Sequence, residues 1–390
     1  MNEFDEQFES LKQYVLDAAR QSWFLGAGVS FDANIPLMYP LTARVEYLIN
    51  QDDDEDAQGI TAAVKSELPE NCHVEHYLSH LGDLIAIASR AKTGSAQIGG
   101  SSYSLDQLVS CHGEIVKRIG EIVRYGYRDD DNVGTIDAPI VDIQQHVEFV
   151  DAVLASKANL EARTALSFFT TNYDTLLEDA LSLRKVRVVD GFSGGSVAFW
   201  NPDSEFPSSS GALLSCPVYK LHGSVDWHRD STYGLVRVRY GTKYLPNPAD
   251  IMIYPQSTKY VETRRDPFAR LFSCVRTELM QTSQNVFATC GYSFGDEHIN
   301  AEIEQCLASP ANKTTVVALV EEQPNQQEGV VVNPTLDRWL CDPAFGDRIF
   351  VAGGKGLYNG SLTPQLPEGS TELDWWKFSA LIDLLKTGEL

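Results

Sequence analysis

A doubly wound α/β domain, with a Rossmann-like parallel sheet and a helical insertion subdomain, is the fold this sequence predicts. Three observations point to it. Strand signals recur at 166–170, 186–191, 217–221, 251–254, 285–290 and 314–320, several of them continuous apolar or β-branched runs, as in strands covered on both faces. Helical patterns fall between several of them, at 174–183, 267–282 and 297–308. The first apolar run, Ser22-Trp23-Phe24-Leu25, ends in a glycine turn.

The remaining elements follow in order. Phe4, Phe8, Leu11, Val15 and Ala18 recur at helical spacing and predict an amphipathic helix over about 4–20. Residues 46–159 differ in character, with helix-like stretches around 73–92, 104–126 and 138–157 and acidic runs at 52–55 and 129–131. They are expected to form the helical insertion, and residues 1–45 with 160–355 the nucleotide-binding core. Pro207-Ser208-Ser209-Ser210-Gly211 is expected as a loop within that core. The C-terminal extension, 356–390, should carry a helix with an aromatic stripe at Trp375, Trp376, Phe378, Leu381 and Leu384. Core packing or a subunit contact would each use that stripe.

Composition excludes several classes. The 390 residues hold 31 Lys+Arg against 54 Asp+Glu, a net charge of −23, which opposes direct nucleic-acid binding. A polybasic membrane anchor is excluded on the same ground, and no apolar run is long enough to cross a bilayer. With an acidic, polar N-terminus, the chain is expected to be soluble and cytoplasmic. Seven cysteines without a CxxC pair form neither a disulfide framework nor a zinc knuckle.

Four segments could carry chemistry. Gly26-Ala27-Gly28-Val29-Ser30 follows the first strand, where glycines allow close backbone approach and N–H groups favour a phosphate. Such a turn binds anions without a cationic side chain, which suits an acidic protein. Thr171-Asn172-Tyr173-Asp174 ends the second apolar run, where open sheets bind ligands, although Asp174 there could simply cap a helix. His222-Gly223 ends another strand and offers an acid/base group. Gly291-Tyr292-Ser293-Phe294-Gly295-Asp296 makes a further strand-to-loop transition, where an adenosine could rest. Two weaker clusters are His73, His76 and His80 on one helix face, and the basic stretch Lys259, Arg264, Arg265 and Arg270.

Taken in order, these segments resemble the sirtuin superfamily. The glycine turn through Ser30 with Ala33-Asn34-Ile35-Pro36 is similar to the sirtuin "GAGxS…AGIP" block, and Thr171–Asp174 to its "QNID" block. His222-Gly223 corresponds to the "HG" pair, and Gly291-Tyr292-Ser293 to the sirtuin Gly-Thr-Ser turn. The matches cover about 20–40, 165–225 and 285–300. Two features depart from the deacylases: the four-cysteine zinc module is absent, and Leu37-Met38-Tyr39 replaces "DFR". The chain looks closer to the zinc-free sirtuin-like NADases of bacterial antiphage defence.

That resemblance implies NAD as substrate, no zinc, and hydrolysis to nicotinamide and ADP-ribose. It implies His222 as general base and Asn172 as holder of ribose and water. Asp174 would meet the nicotinamide carboxamide, Gly26, Ala27, Gly28 and Ser30 the phosphates, and Gly291 and Ser293 the adenosine. It further implies a homo-oligomer and a HerA-type hexameric ATPase as possible partner. The alternatives are a non-catalytic NAD- or ADP-ribose-binding scaffold and an NAD-dependent protein deacylase.

Overall fold

The computed structural model describes residues 3–18, 20–157, 165–201, 215–230, 232–239, 250–253, 266–325 and 329–389. Its centre is an eight-stranded sheet. The strands are β1 (Arg20–Leu25), β2 (Ala165–Thr170), β3 (Arg187–Val189), β4 (Ser215–Lys220), β5 (Asn285–Cys290), β6 (Thr314–Leu319), β7 (Ile349–Gly353) and β8 (Gly356–Asn359). Their spatial order is β8-β7-β6-β5-β1-β2-β4-β3. Every neighbouring pair is parallel except β7 with β8. The chain leaves β1 towards β2 on one side and later winds outward from β5 on the other. β1 and β5 therefore flank the switch point, where the carboxyl ends of an open sheet leave a crevice.

The apolar runs are continuous because both sheet faces are covered. Successive side chains alternate between the faces. Trp23, Phe168 and Val286 enter one apolar layer, and their neighbours Phe24, Phe169 and Phe287 enter the other. The first layer is closed by α6 (Gln144–Lys157) and α11 (Phe378–Thr387), and the second by α8 (Phe268–Leu279) and α9 (Glu297–Leu307). Trp375, Phe378 and Leu381 lie in the first layer, so core packing uses this part of the C-terminal stripe.

Between β1 and α6 the chain builds a third core from α2 (Met38–Gln51), α3 (Glu55–Glu67), α4 (Val74–Arg90) and α5 (Leu105–Tyr125). Local chemistry sets the ends of these helices. Asp54 caps α3 through the N–H of Ala57, and Ser104 with Gln107 forms a reciprocal capping box on α5. Gly126, at φ 90°, ends α5 in a conformation that favours glycine. The third core also takes in Tyr173, Leu176 and Val225, so it meets the sheet beside the chain segments that follow β2 and β4.

One strand expectation is corrected. Residues 250–253 do not extend the parallel sheet; they pair antiparallel with Gly223–Asp230 in a second, five-stranded sheet. That sheet also contains Phe192–Gly194, Val197–Trp200 and Gly234–Val238. A strand that follows its predecessor after a few residues, as Gly234–Val238 follows Gly223–Asp230, has too short a link to run parallel. The expected loop at 207–211 lies outside the described residues.

Phe149 on α6 joins helix and sheet. Its ring centroid lies 5.3 Å from Trp23, 6.3 Å from Phe168 and 5.2 Å from Phe378. Phe149→Ala is expected to cost about 3–5 kcal/mol in urea unfolding, as for a large aromatic lost from a packed core. A loss below about 1 kcal/mol would show that α6 is not held by this layer.

Candidate active site

The turns after β1 and β5 are locked together. The Gly26 N–H donates to the Cys290 carbonyl and the Gly28 N–H to the Gly291 carbonyl, each at 3.0 Å. A Cβ on Gly26 would stand 2.4 Å from the Gly291 carbonyl oxygen, and one on Gly28 would stand 2.7 Å from the Gly291 Cα. Gly291 has φ 66°, and a Cβ there would lie 2.5 Å from the Val29 nitrogen. All three positions need glycine because two backbones touch. The phosphate rationale for these glycines is therefore revised: of the four residues assigned to the phosphates, Gly26 and Gly28 give their N–H groups to the neighbouring turn. Ala27 is exposed and opens the short turn Ala27–Ser30, whose first N–H groups have no acceptor within the turn.

Asn172 joins this lock from β2. Its amide nitrogen donates to the Gly26 carbonyl and to Ser30 Oγ, both at 3.0 Å. Ser30 Oγ in turn donates to Asp174 Oδ2 at 2.9 Å. Asp174 Oδ1 accepts the Leu176 N–H at 3.0 Å at the start of α7 (Leu176–Leu183), so this residue supports the helix as well as Ser30. With both amide hydrogens committed, the buried Asn172 Oδ1 has no protein donor among the described residues. Behind Asp174 lies His146 of α6, whose deep burial pushes its imidazole below the ordinary range while the Asp174 charge opposes that shift.

The segment after β4 is zipped to the segment after β2. The Leu221 N–H donates to the Thr170 carbonyl at 2.8 Å, and the Val225 N–H to the Tyr173 carbonyl at 3.0 Å. Lys220, only 1 % exposed, donates to the Asp174 carbonyl and lies 3.2 Å from Glu178 Oε1. Burial raises the Glu178 pKa, and the Lys220 and Arg239 charges pull it back. His222 is buried, with its ring 5.9 Å from that of His298 and Nε2 3.7 Å from Asp296 Oδ1.

The helical insertion reaches the same place. The Tyr173 hydroxyl donates to Glu75 Oε1 of α4, and Arg124 of α5 donates to the Val225 carbonyl. Burial, then the Glu75 charge and hydrogen bond, hold the Tyr173 phenol well above its usual pKa.

Gly26, Ser30, Asn172, Asp174 and Gly291 thus form one bonded network, and His222 joins it through the Leu221–Thr170 link. Ser293 stands apart: it is exposed, its Oγ accepts the Gly295 N–H at 3.3 Å, and its carbonyl accepts from Asn333 at 3.0 Å. The sequence offers Lys220 and Asp296 only as members of their strand-end segments, and it offers no sign of Glu75 and Glu178. A lysine inside an apolar strand was the available signal for Lys220, since a buried ammonium requires a partner.

The histidines of the weaker cluster make local contacts. His76 Nδ1 accepts the His73 N–H at 3.1 Å, and His80 pairs with Glu67 at 3.0 Å. Among the described residues no group of three His, Cys, Asp or Glu side chains could hold a metal. Lys259, Arg264 and Arg265 lie outside the described residues, and no helix among those described is long and apolar enough to cross a membrane.

A parallel sheet with side chains gathered at its carboxyl-end switch point defines an open α/β domain of the ligand-binding kind. Residues 166–336 match the family model of the SIR2-like domain. Similar solved structures include a Sir2 homologue in complex with NAD, 11 % identical, covering 97 % of this chain and 93 % of that one, with TM-score 0.38. A substituted Sir2 homologue bound to ADP-ribose is 11 % identical over 84 % of this chain and 87 % of that one, with TM-score 0.37. A second such complex is 14 % identical over 82 % and 86 %, with TM-score 0.32. No curated protein matches the chain.

The locked turns generate a direct expectation. Gly291→Ala should destabilise the protein by about 2 kcal/mol or more in thermal unfolding, combining a strained backbone with a backbone clash. The exposed Ser293→Ala should stay within about 0.5 kcal/mol of the parent. Equal behaviour of the two variants would contradict the interlock.

Proposed function

We propose that the protein is an NAD glycohydrolase that cleaves the nicotinamide–ribose bond to give nicotinamide and ADP-ribose. The observation that carries this reading is the Asn172 amide. Its two hydrogens are fixed by Gly26 and Ser30, leaving a buried acceptor oxygen at the switch point. Such an acceptor fits a ribose hydroxyl or a water molecule. The SIR2-like match over 166–336 supports NAD as the ligand.

In the proposed reaction, a water oxygen bonds to the anomeric ribose carbon as the carbon–nitrogen bond to nicotinamide breaks. The bonding pair goes to the pyridinium nitrogen, which becomes neutral, and His222 takes the proton of the attacking water, directly or relayed through a ribose hydroxyl. Asn172 holds ribose and water in register. Ala27 and its turn face the phosphates, Asp174 acts on the nicotinamide end through Ser30, and Gly291 with Ser293 borders the adenosine. By family resemblance, the product role is NAD depletion in antiphage defence by a cytoplasmic homo-oligomer. A HerA-type ATPase partner belongs to that same proposal.

The test is nicotinamide release from NAD by the purified protein, alone and with the product of its adjacent gene. His222→Ala and Asn172→Ala should each lower turnover by roughly 100- to 10,000-fold while nucleotide binding persists. Release that requires an acetyl-lysine peptide would favour deacylation. Binding without release in either preparation would favour a scaffold and overturn the enzymatic reading.

A further inference from the structure

Asp296 lies at a junction that the proposed reaction has not yet used. It stands just before α9, yet its side chain does not cap that helix. Asp296 is 9 % exposed, and its Oδ1 lies 3.7 Å from Nε2 of His222, itself 3 % exposed. A carboxylate in such surroundings is costly unless a donor or cation accompanies it. The imidazole edge is such a partner.

We propose that Asp296 is the positioning residue for His222, fixing its ring orientation and its tautomer. This inference rests on His222 being the general base. A carboxylate beside Nε2 favours the proton on that nitrogen, so the lone pair sits on Nδ1. After Nδ1 takes a proton from the attacking water or a ribose hydroxyl, the carboxylate stabilises the resulting imidazolium. Asp296 stays ionised throughout, and the proton leaves from the imidazolium to solvent.

Two further contacts make the placement rigid. The ring of His298, the second residue of α9, lies nearly parallel to that of His222 at 19°, with Phe272 of α8 5.6 Å behind it. The turn that carries Asp296 is braced from inside, as the Tyr292 hydroxyl donates to Asn300 Oδ1 at 3.0 Å and the Asn300 amide donates to the Phe294 carbonyl at 2.8 Å. The same turn begins at Gly291, which is locked to Gly26 and Gly28. One short segment thus connects the glycine turn to the partner of the base.

Other titratable groups face this pair. His298 stacks on the imidazole, and the phenols of Tyr173 and Tyr292 are both raised well above their usual pKa, first by burial and also by the Asp296 charge. Glu75 stands behind Tyr173. Both phenols therefore stay protonated near neutrality. Glu75 and Asp296 are the anions of the group, and Asp296 is the one 3.7 Å from the ring.

The experiment combines histidine-selective isotope labelling with kinetics. Among the 8 histidines, the His222 signal is identified by its loss in His222→Ala. The parent protein should show the Nε2–H tautomer, and its imidazole should titrate at a higher pH than in Asp296→Asn. The same substitution should lower kcat about 10- to 1,000-fold, with KM for NAD changing less than about threefold. The acidic limb of its pH–rate profile should move to lower pH, because the base must be neutral and has lost a neighbouring negative charge. Asp296→Glu should recover part of kcat. An Nδ1–H tautomer in the parent, or an unmoved titration in Asp296→Asn, would overturn the proposal. If the parent releases no nicotinamide, the enzymatic reading fails by itself, and tautomer and titration still decide the pairing.

Discussion

The rest of the structure depends on two backbones that touch. At the carboxyl ends of β1 and β5, Gly26 and Gly28 lie against Gly291 so closely that no side chain fits between them. Adjacent strands of a doubly wound sheet carry their connections away in opposite directions, which normally leaves a gap at this point. Here the gap is narrowed by two N–H···O bonds, and the exposed Ala27 is left at its edge. Asn172 then bonds to the Gly26 carbonyl, so the lock fixes the orientation of the amide assigned to ribose.

Buried charge extends this rigidity sideways. Lys220 is held between the Asp174 carbonyl and Glu178, and Arg239 pairs with Asp226 at 3.3 Å. Breaking one partner of such a pair leaves an uncompensated charge, so the groups act as a unit. They lie between the chain segments following β2 and β4, which carry Asn172 and His222. The helical insertion adds Glu75 and Arg124 to the same region. A displacement of α4 or α5 would be felt at Tyr173, the residue between Asn172 and Asp174.

Much of the sheet was legible in the sequence because its strands are covered on both faces. Runs such as Thr314–Leu319 are apolar or β-branched throughout, and no other element gives that pattern at that length. The second sheet was not legible. Gly223–Asp230 reads Gly-Ser-Val-Asp-Trp-His-Arg-Asp, and Ser224, Asp226, His228 and Asp230 are all buried, which their polarity conceals in the sequence. The site divides in the same way. Gly26, Asn172 and His222 stand at strand ends, where position itself is informative. The Ser30–Asp174 bond spans 144 residues, and the Glu75–Tyr173 bond spans 98, so neither leaves a local trace. The glycines do serve close approach, and the approaching group is Gly291.

In the proposed reaction, NAD lies across the locked turns with its nicotinamide ribose between Asn172 and His222. The most direct measurement is a crystal structure of His222→Ala with NAD, the substitution serving to keep the substrate whole. The account predicts the pyrophosphate beside Ala27, the adenosine along the turn from Gly291, and a ribose hydroxyl or water bonded to Asn172 Oδ1. NAD bound elsewhere on the protein, or Asn172 Oδ1 left without a ligand contact in a fully occupied complex, would contradict it.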